Sequence, residues 1–184
     1  PVNRRQRQMC IRDRISYEMV SGNQGHWSDL STEEISTVRD LMDTMIPTPS
    51  GCFIQGFSHW PLKSIGVEHL SGINLRQEEI NWISTKLTGD VQQEALFSYL
   101  TELGCVLRPG FKYGCKWRVY DDDVAKSHAP WLLQPMTEAP VSWEQTCLSV
   151  RLAEGVHKKW VCGLKEDIGD WKFLHIKRWL PGRV

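Results

Sequence analysis

The stretch YDDDVAKSH, residues 120–128, sets a tyrosine, three aspartates and a histidine between two strand-like runs, and Lys158 follows thirty residues after His128 in RLAEGVHKKWVCGL. Two chemistries compete for these side chains. Aspartates beside a histidine suit a metal-dependent site, which here would draw on Asp121, Asp122 and Asp123 together with Glu154 and Lys158. A phenol (~10), an imidazole (~6.5) and an ammonium (~10.4) have well-separated free pKa values. Held around one atom, such groups suit acid–base chemistry without a metal. Attack by a ribose 2′-OH on its own phosphate is a reaction of that kind. The tyrosine takes the proton, the histidine protonates the leaving 5′-oxygen, and the lysine stabilises the crowded phosphorane. The nucleophile is already tethered to the phosphate, so no metal is needed to deliver it. Taken singly, each residue also has a plainer role. Tyr120 can be a packing residue ending a strand, His128 a solvated loop side chain, and Lys158 with Lys159 a surface pair with snorkelling stems.

Such groups work only if elements hold them in place. CVLRPGFKYGCKWRVY reads as strand, Pro-Gly turn and strand, ending at Tyr120. Pro130 sits two residues past His128, so the next strand is expected to start at Trp131. The segment from Trp143 to Val156 reads as a helix packing on a sheet, and Lys159 to Leu164 as a strand, which leaves Lys158 at the handover. Upstream, Ser31 and Glu34 make a capping box for a helix on which Ile35, Val38, Leu41, Met42 and Met45 recur, closed by Pro47 and Pro49. Residues 51–72 read as short strands and turns with Phe53, Ile54, Phe57 and Trp60 in the core. Asn74 is expected to cap a second helix carrying Ile80, Ile83 and Leu87 on one face. Asp90 is expected to cap a third, DVQQEALFSYLTELG, ended by Gly104. The texture changes near Gly89. The expected fold class is α/β (α+β): a small mixed segment over residues 15–88, then a compact domain over residues 89–184 with a central mixed sheet.

Hydrophobic residues make up 41% and charged residues 24% of the 184, which excludes a disordered or fibrous chain and leaves room for a real core. No apolar run approaches the ~18 residues of a membrane span and no signal-peptide core is present, so a cytoplasmic protein with no membrane partner is expected. Cys10, Cys52, Cys105, Cys115, Cys147 and Cys162 form no C-x-x-C pair, and several lie in apolar surroundings, as buried thiols in a reducing compartment do. Formal net charge is zero, which argues weakly against a nucleic-acid partner, but the distribution is uneven. Residues 1–14 carry five arginines against one aspartate, and residues 15–88 carry four bases against nine acids. The last fourteen residues hold Lys172, Lys177, Arg178 and Arg183 with no acid at all. The first segment, PVNRRQRQMCIRDR, reads as a translated sequencing adapter, a non-native tail outside the fold. The natural chain is then expected to begin further upstream, with this sequence as its back part.

Three segments, in order, carry a family resemblance. LRPGFKYGCKWRVYDDD is similar to the signature of archaeal-type tRNA-splicing endonucleases (tRNA-intron endonucleases), a Gly-x-Lys-[Phe/Tyr]-Gly core followed by a strand ending in Tyr. SHAPWLLQP resembles the family's His-containing segment, and RLAEGVHKKWVCGL its Arg-x-Ala-x-x-Val-[Arg/His]-Lys-Lys helix-to-strand motif. The resemblance covers roughly residues 90–184. It implies a restriction-endonuclease-like catalytic domain with Tyr120 as general base, His128 as general acid and Lys158 as transition-state stabiliser, needing neither metal nor cofactor. It also implies that Arg151 and Trp179 grip an extruded bulge nucleotide by cation–π and stacking contacts. The acidic turn with Glu166, Asp167 and Asp170 is implied to insert into a neighbouring subunit. The implied substrate is precursor tRNA with a bulge-helix-bulge fold, cut to 2′,3′-cyclic phosphate and 5′-OH ends by a homo- or hetero-oligomer of related subunits.

This sequence also departs from the pattern. The loop from Tyr120 to His128 is slightly short and carries the three aspartates, and residues 15–88 match only loosely, as a small amino-terminal domain or the remnant of a preceding repeat. Two further readings stand beside the first. One is a metal-dependent nuclease of restriction-endonuclease type, although that pattern wants an acid two residues before the lysine and Val156 is there. The other is a non-catalytic subunit that scaffolds a partner nuclease.

Overall fold

The structure, a computed structural model, describes residues 27–56, 60–69, 71–89, 95–121, 123–165 and 171–178. Among these it is a mixed α/β protein with two sheets and four helices. The chain divides into two compact units between residues 106 and 107. The arginine-rich tail over residues 1–14 lies outside the described residues.

In the first unit, α1 (Thr32–Asp43) opens as its sequence demands: Ser31 Oγ accepts from the Glu34 N–H at 3.2 Å, and Glu34 Oε2 accepts from the Ser31 N–H at 2.8 Å. The strands β1 (Ile46–Thr48), β2 (Gly51–Gln55), β3 (Val67–His69) and β4 (Gly72–Arg76) form an antiparallel sheet in the order β1-β2-β4-β3. Asn74 is not a helix cap. It lies inside β4, paired with Phe53 and Val67, and α2 (Gln77–Thr88) starts only after Arg76. Ile83 is buried on α2 as expected, with Trp82 and Glu79 beside it, while Ile80 and Leu87 are half-buried. Ile54 is fully buried in the core, Phe53 and Trp60 are half-buried, and Phe57 lies outside the described residues. The third helix, α3, is Leu96–Glu102, shorter than expected; Asp90 lies outside the described residues. Gly104 follows with φ +83°, the left-handed conformation that ends a helix most cheaply without a Cβ.

In the second unit, β5 (Val106–Pro109), β6 (Trp117–Tyr120), β7 (Trp131–Pro135), β8 (Lys159–Lys165) and β9 (Trp171–Ile176) lie side by side in sequence order. β6 and β7 are antiparallel, β7 and β8 parallel, and β8 and β9 antiparallel. The parallel pair needs a crossover, which α4 (Trp143–Gly155) provides. Strand β7 begins at Trp131, where the preceding proline required it to begin. Helix α4 packs Val150 and Ala153 onto Leu132, Trp160 and Cys162, which cover one face of the sheet. Strand β8 has neighbours on both sides, and its run Trp160, Val161, Cys162 is buried throughout, as a central strand requires. Cys115 and Cys162 are free thiols whose pKa burial pushes up to about 11, so they are inert packing groups. No helix among the described residues is long and apolar enough to cross a membrane.

Candidate active site

The register of the second sheet decides which side chains meet. Arg118 pairs with Leu132 and Val119 with Trp131, so one step on Tyr120 stands opposite Pro130. Trp131 pairs with Lys159, and the Lys159 N–H donates to the Pro130 carbonyl at 2.9 Å, so Pro130 stands beside Lys158. Tyr120, Pro130 and Lys158 therefore form one cross-strand row, with side chains on one face. That face is the one α4 covers further along, through Leu132 and Trp160. Two strand spacings, ~10 Å, separate the Tyr120 and Lys158 backbones. Tyr120 is buried. His128 is exposed in the loop, next to the buried Ala129, and the Lys158 ammonium donates to the Ala129 carbonyl. Tyr120 and Lys158, apart in sequence, are thus brought to one end of the sheet, with His128 in the loop that leads into β7.

Lys158 owes its place to the end of α4. The His157 N–H donates to the Glu154 carbonyl at 3.1 Å and the Lys158 N–H to the Ala153 carbonyl at 2.8 Å, a Schellman closure. Its left-handed position, with φ 57°, is filled by His157 where glycine would ordinarily stand. The turn sends the chain straight from helix to strand with Lys158 at the junction. The Lys158 Nζ also lies 6.0 Å from the centroid of the Tyr113 ring. Burial first, then repulsion from Arg118, holds its pKa below the usual lysine value. Tyr113 belongs to a 3-10 turn, Phe111–Tyr113, that folds tightly after Gly110. A Cβ on Gly110 would stand 2.4 Å from Cys115 Sγ and 2.9 Å from the Cys115 carbonyl oxygen, so only glycine fits there.

Asp123 serves the loop. Asp123 Oδ1 accepts from the Ala125 N–H at 2.9 Å, and the Asp123 carbonyl accepts from the N–H groups of Lys126 at 2.9 Å and Ser127 at 3.0 Å. The Ala125 bond, with help from Lys126 at 3.3 Å, holds the Asp123 carboxyl below its usual pKa. Asp122 lies outside the described residues. Glu154, the acid the metal reading would enlist, is turned to Arg178 instead, accepting from its backbone N–H at 2.9 Å and from its guanidinium. Among the described residues no three His, Cys, Asp or Glu side chains gather closely enough to hold an ion together.

Arg151 is exposed on α4, two turns before the Lys158 junction. Trp179 and the acidic turn residues Glu166, Asp167 and Asp170 lie outside the described residues. Two residues at the site went unremarked in the sequence. Tyr113 sits in the aromatic turn and faces Lys158. Arg118, two before Tyr120 and so on the same face of β6, lies 5.8 Å from the Tyr120 ring centroid. A period-two reading backwards from Tyr120 would have found it.

Residues 91–173, which include Tyr120, His128, Arg151 and Lys158 but not Trp179, match the family model for the tRNA intron endonuclease, catalytic C-terminal domain. A tRNA-splicing endonuclease from Methanopyrus kandleri is 29% identical over 107 residues, 56% of this chain and 59% of the relative. One from Thermoplasma volcanium is 33% identical over 85 residues, 46% of this chain and 28% of the relative. One from Halobacterium salinarum is 34% identical over 94 residues, 47% of this chain and 27% of the relative. The chain thus spans less than two thirds of the length of each of these relatives, and under a third of the last two.

Proposed function

With a tRNA-splicing endonuclease catalytic domain over residues 91–173 as the premise, we propose that the protein cuts precursor tRNA at bulge-helix-bulge splice sites by a metal-independent, lyase-type transesterification. The observation that carries this reading is the shared row of Tyr120 and Lys158, with His128 one residue from the carbonyl that Lys158 holds. Tyr120 takes the proton of the 2′-OH. The 2′-oxygen bonds to phosphorus while the bond to the 5′-oxygen breaks, and His128 delivers a proton to that leaving oxygen. Lys158 faces the charge that builds on the phosphorane between them. The products are a 2′,3′-cyclic phosphate and a 5′-OH, and neither metal nor cofactor takes part. Arg151 and Trp179 grip an extruded bulge base, and the turn with Glu166, Asp167 and Asp170 docks into a related subunit. Such pairing sets two sites at a fixed separation, matched to the two bulges. The setting is the cytoplasm.

The test is cleavage of a short bulge-helix-bulge RNA by the full chain in excess EDTA, with product ends identified. Wild type should leave cyclic-phosphate ends, and Lys158→Ala or His128→Ala should each slow cleavage by ~10²-fold or more with RNA binding retained. Cutting only after magnesium is restored, or near-wild-type rates in both variants, would refute the assignment.

A further inference from the structure

Arg118 has no part in the steps above, yet it is the side chain most closely tied to both Tyr120 and Lys158. It leaves β6 on the face shared with Tyr120, half-buried. Its Nε donates to the Pro109 carbonyl at 3.0 Å, which fixes the guanidinium against the neighbouring strand. Its guanidinium carbon lies 5.8 Å from the centroid of the Tyr120 ring. The Lys158 ammonium approaches the same stretch of chain from another strand, 6.0 Å from the Tyr113 ring in the turn that follows Pro109, and Arg118 is among the causes that hold its pKa down. Among the described residues neither cation has a carboxylate within ion-pair distance, whereas Arg76, Lys86, Lys116, Lys126 and Arg178 all do. Two half-buried like charges, each held by a carbonyl and a ring at the same end of the sheet, raise the energy of the empty site. A single anion placed between them removes that penalty and gains two charge-assisted hydrogen bonds.

We propose that Arg118 and Lys158 are the two arms of one anion site, and that Arg118 binds a non-bridging oxygen of the phosphate through its outer nitrogens while Nε stays on Pro109. That the anion is the scissile phosphodiester rests on the function proposed above. The geometry gives the arms different work. Lys158 is a compact donor at the strand end, and Arg118 a planar fork whose orientation the Tyr120 ring fixes. The same contact sets where the phenol of Tyr120 can lie relative to the bound phosphate.

The experiment compares wild type, Arg118→Gln and Arg118→Lys as full chains, with two readouts. In single-turnover cleavage of a bulge-helix-bulge RNA in EDTA, Arg118→Gln should lower the rate at saturating RNA by ~10²-fold, and Arg118→Lys should recover about tenfold of it. The RNA concentration for half-saturation should change by less than ~3-fold, because the oxygen contact tightens as charge builds. The second readout is the titration of the Lys158 ammonium by carbon NMR of labelled lysine, assigned with Lys158→Arg, with and without inorganic phosphate. In wild type the midpoint should lie below that of exposed lysines and rise when phosphate is added. In Arg118→Gln it should rise part of the way without phosphate, since burial is the larger cause of the depression, and phosphate should move it less. A wild-type cleavage rate in Arg118→Gln, or an equal phosphate response in both proteins, would overturn the proposal. If wild type cuts no RNA, the function reading fails while the phosphate titration still decides the two-cation site.

Discussion

His157 holds a left-handed backbone, φ 57°, at the turn that delivers Lys158, and replacing it separates the work of the backbone from that of the imidazole. A residue with a Cβ pays roughly 1–2 kcal/mol in that conformation. Histidine is among the side chains that tolerate it best, so the lower end of that range applies. His157→Gly removes the strain but frees the unfolded chain by ~0.4–1 kcal/mol. The net expectation is a gain of about 0.3 kcal/mol, an upward shift of ~0.1–0.3 M in the urea midpoint. His157→Val moves the other way. A β-branched side chain resists this conformation more strongly, and the bonds that the N–H groups of His157 and Lys158 make to α4 are put at risk. A loss of about 2 kcal/mol follows. Cleavage should track the backbone: within ~3-fold of wild type for Gly, and at least tenfold slower for Val because Lys158 is displaced. Urea unfolding and single-turnover cleavage on the same preparations measure both. If His157→Gly cuts as poorly as His128→Ala, the imidazole of His157 takes part in the chemistry and the assignment of the acid to His128 is wrong.

Two stability predictions come from the scaffold. Glu79 is 1% exposed and accepts from the N–H of Gly66 at 3.1 Å, the N–H of Arg76 at 2.9 Å and the Arg76 guanidinium at 3.2 Å. Glu79→Ala strips all three and should cost about 3 kcal/mol by urea unfolding, and a loss below ~1 kcal/mol would show that water replaces the carboxylate easily. Gly110→Ala drives a methyl into Cys115 and should cost ~1–3 kcal/mol. Adding Cys115→Ala should return part of that loss but not all, because the Cys115 carbonyl oxygen also stands in the way. Full recovery in the double variant would mean that the backbone shifts freely there.

How far the sequence reaches depends on whether an element carries its own instructions. Helix α1 does: Ser31 and Glu34 close on each other across one turn, so the capping box can be read without knowing what surrounds it. Strand β7 does as well, since Pro130 forbids an earlier start. Asn74 shows the limit. Its side chain suits a helix cap, but its backbone is claimed by Phe53 on one side and Val67 on the other, partners 21 and 7 residues away that no local pattern announces. The real start of α2 is signalled by Glu79, whose carboxylate reaches back to the Arg76 N–H; that is one half of a capping box, without the Ser or Thr that makes such a box visible.

The site obeys the same rule. Tyr120, His128 and Lys158 are singled out by the family resemblance, spacing alone being a weak guide, but that Tyr120 and Lys158 share a row follows from two registers, one antiparallel and one parallel, which a single sequence does not encode locally. Arg118 stayed hidden for a related reason. Its position two before Tyr120 fixes its face, but what that face meets, the Pro109 carbonyl and the Tyr120 ring, depends on how the chain turns back between β5 and β6. Helix α4 thus does two jobs with one stretch of chain: its buried side seals the sheet, and its closing turn sets Lys158 at the edge of that seal. A charge at the edge of an apolar layer is partly desolvated without being shut off from substrate. The depressed pKa of Lys158, with burial as its larger cause, is what that position produces.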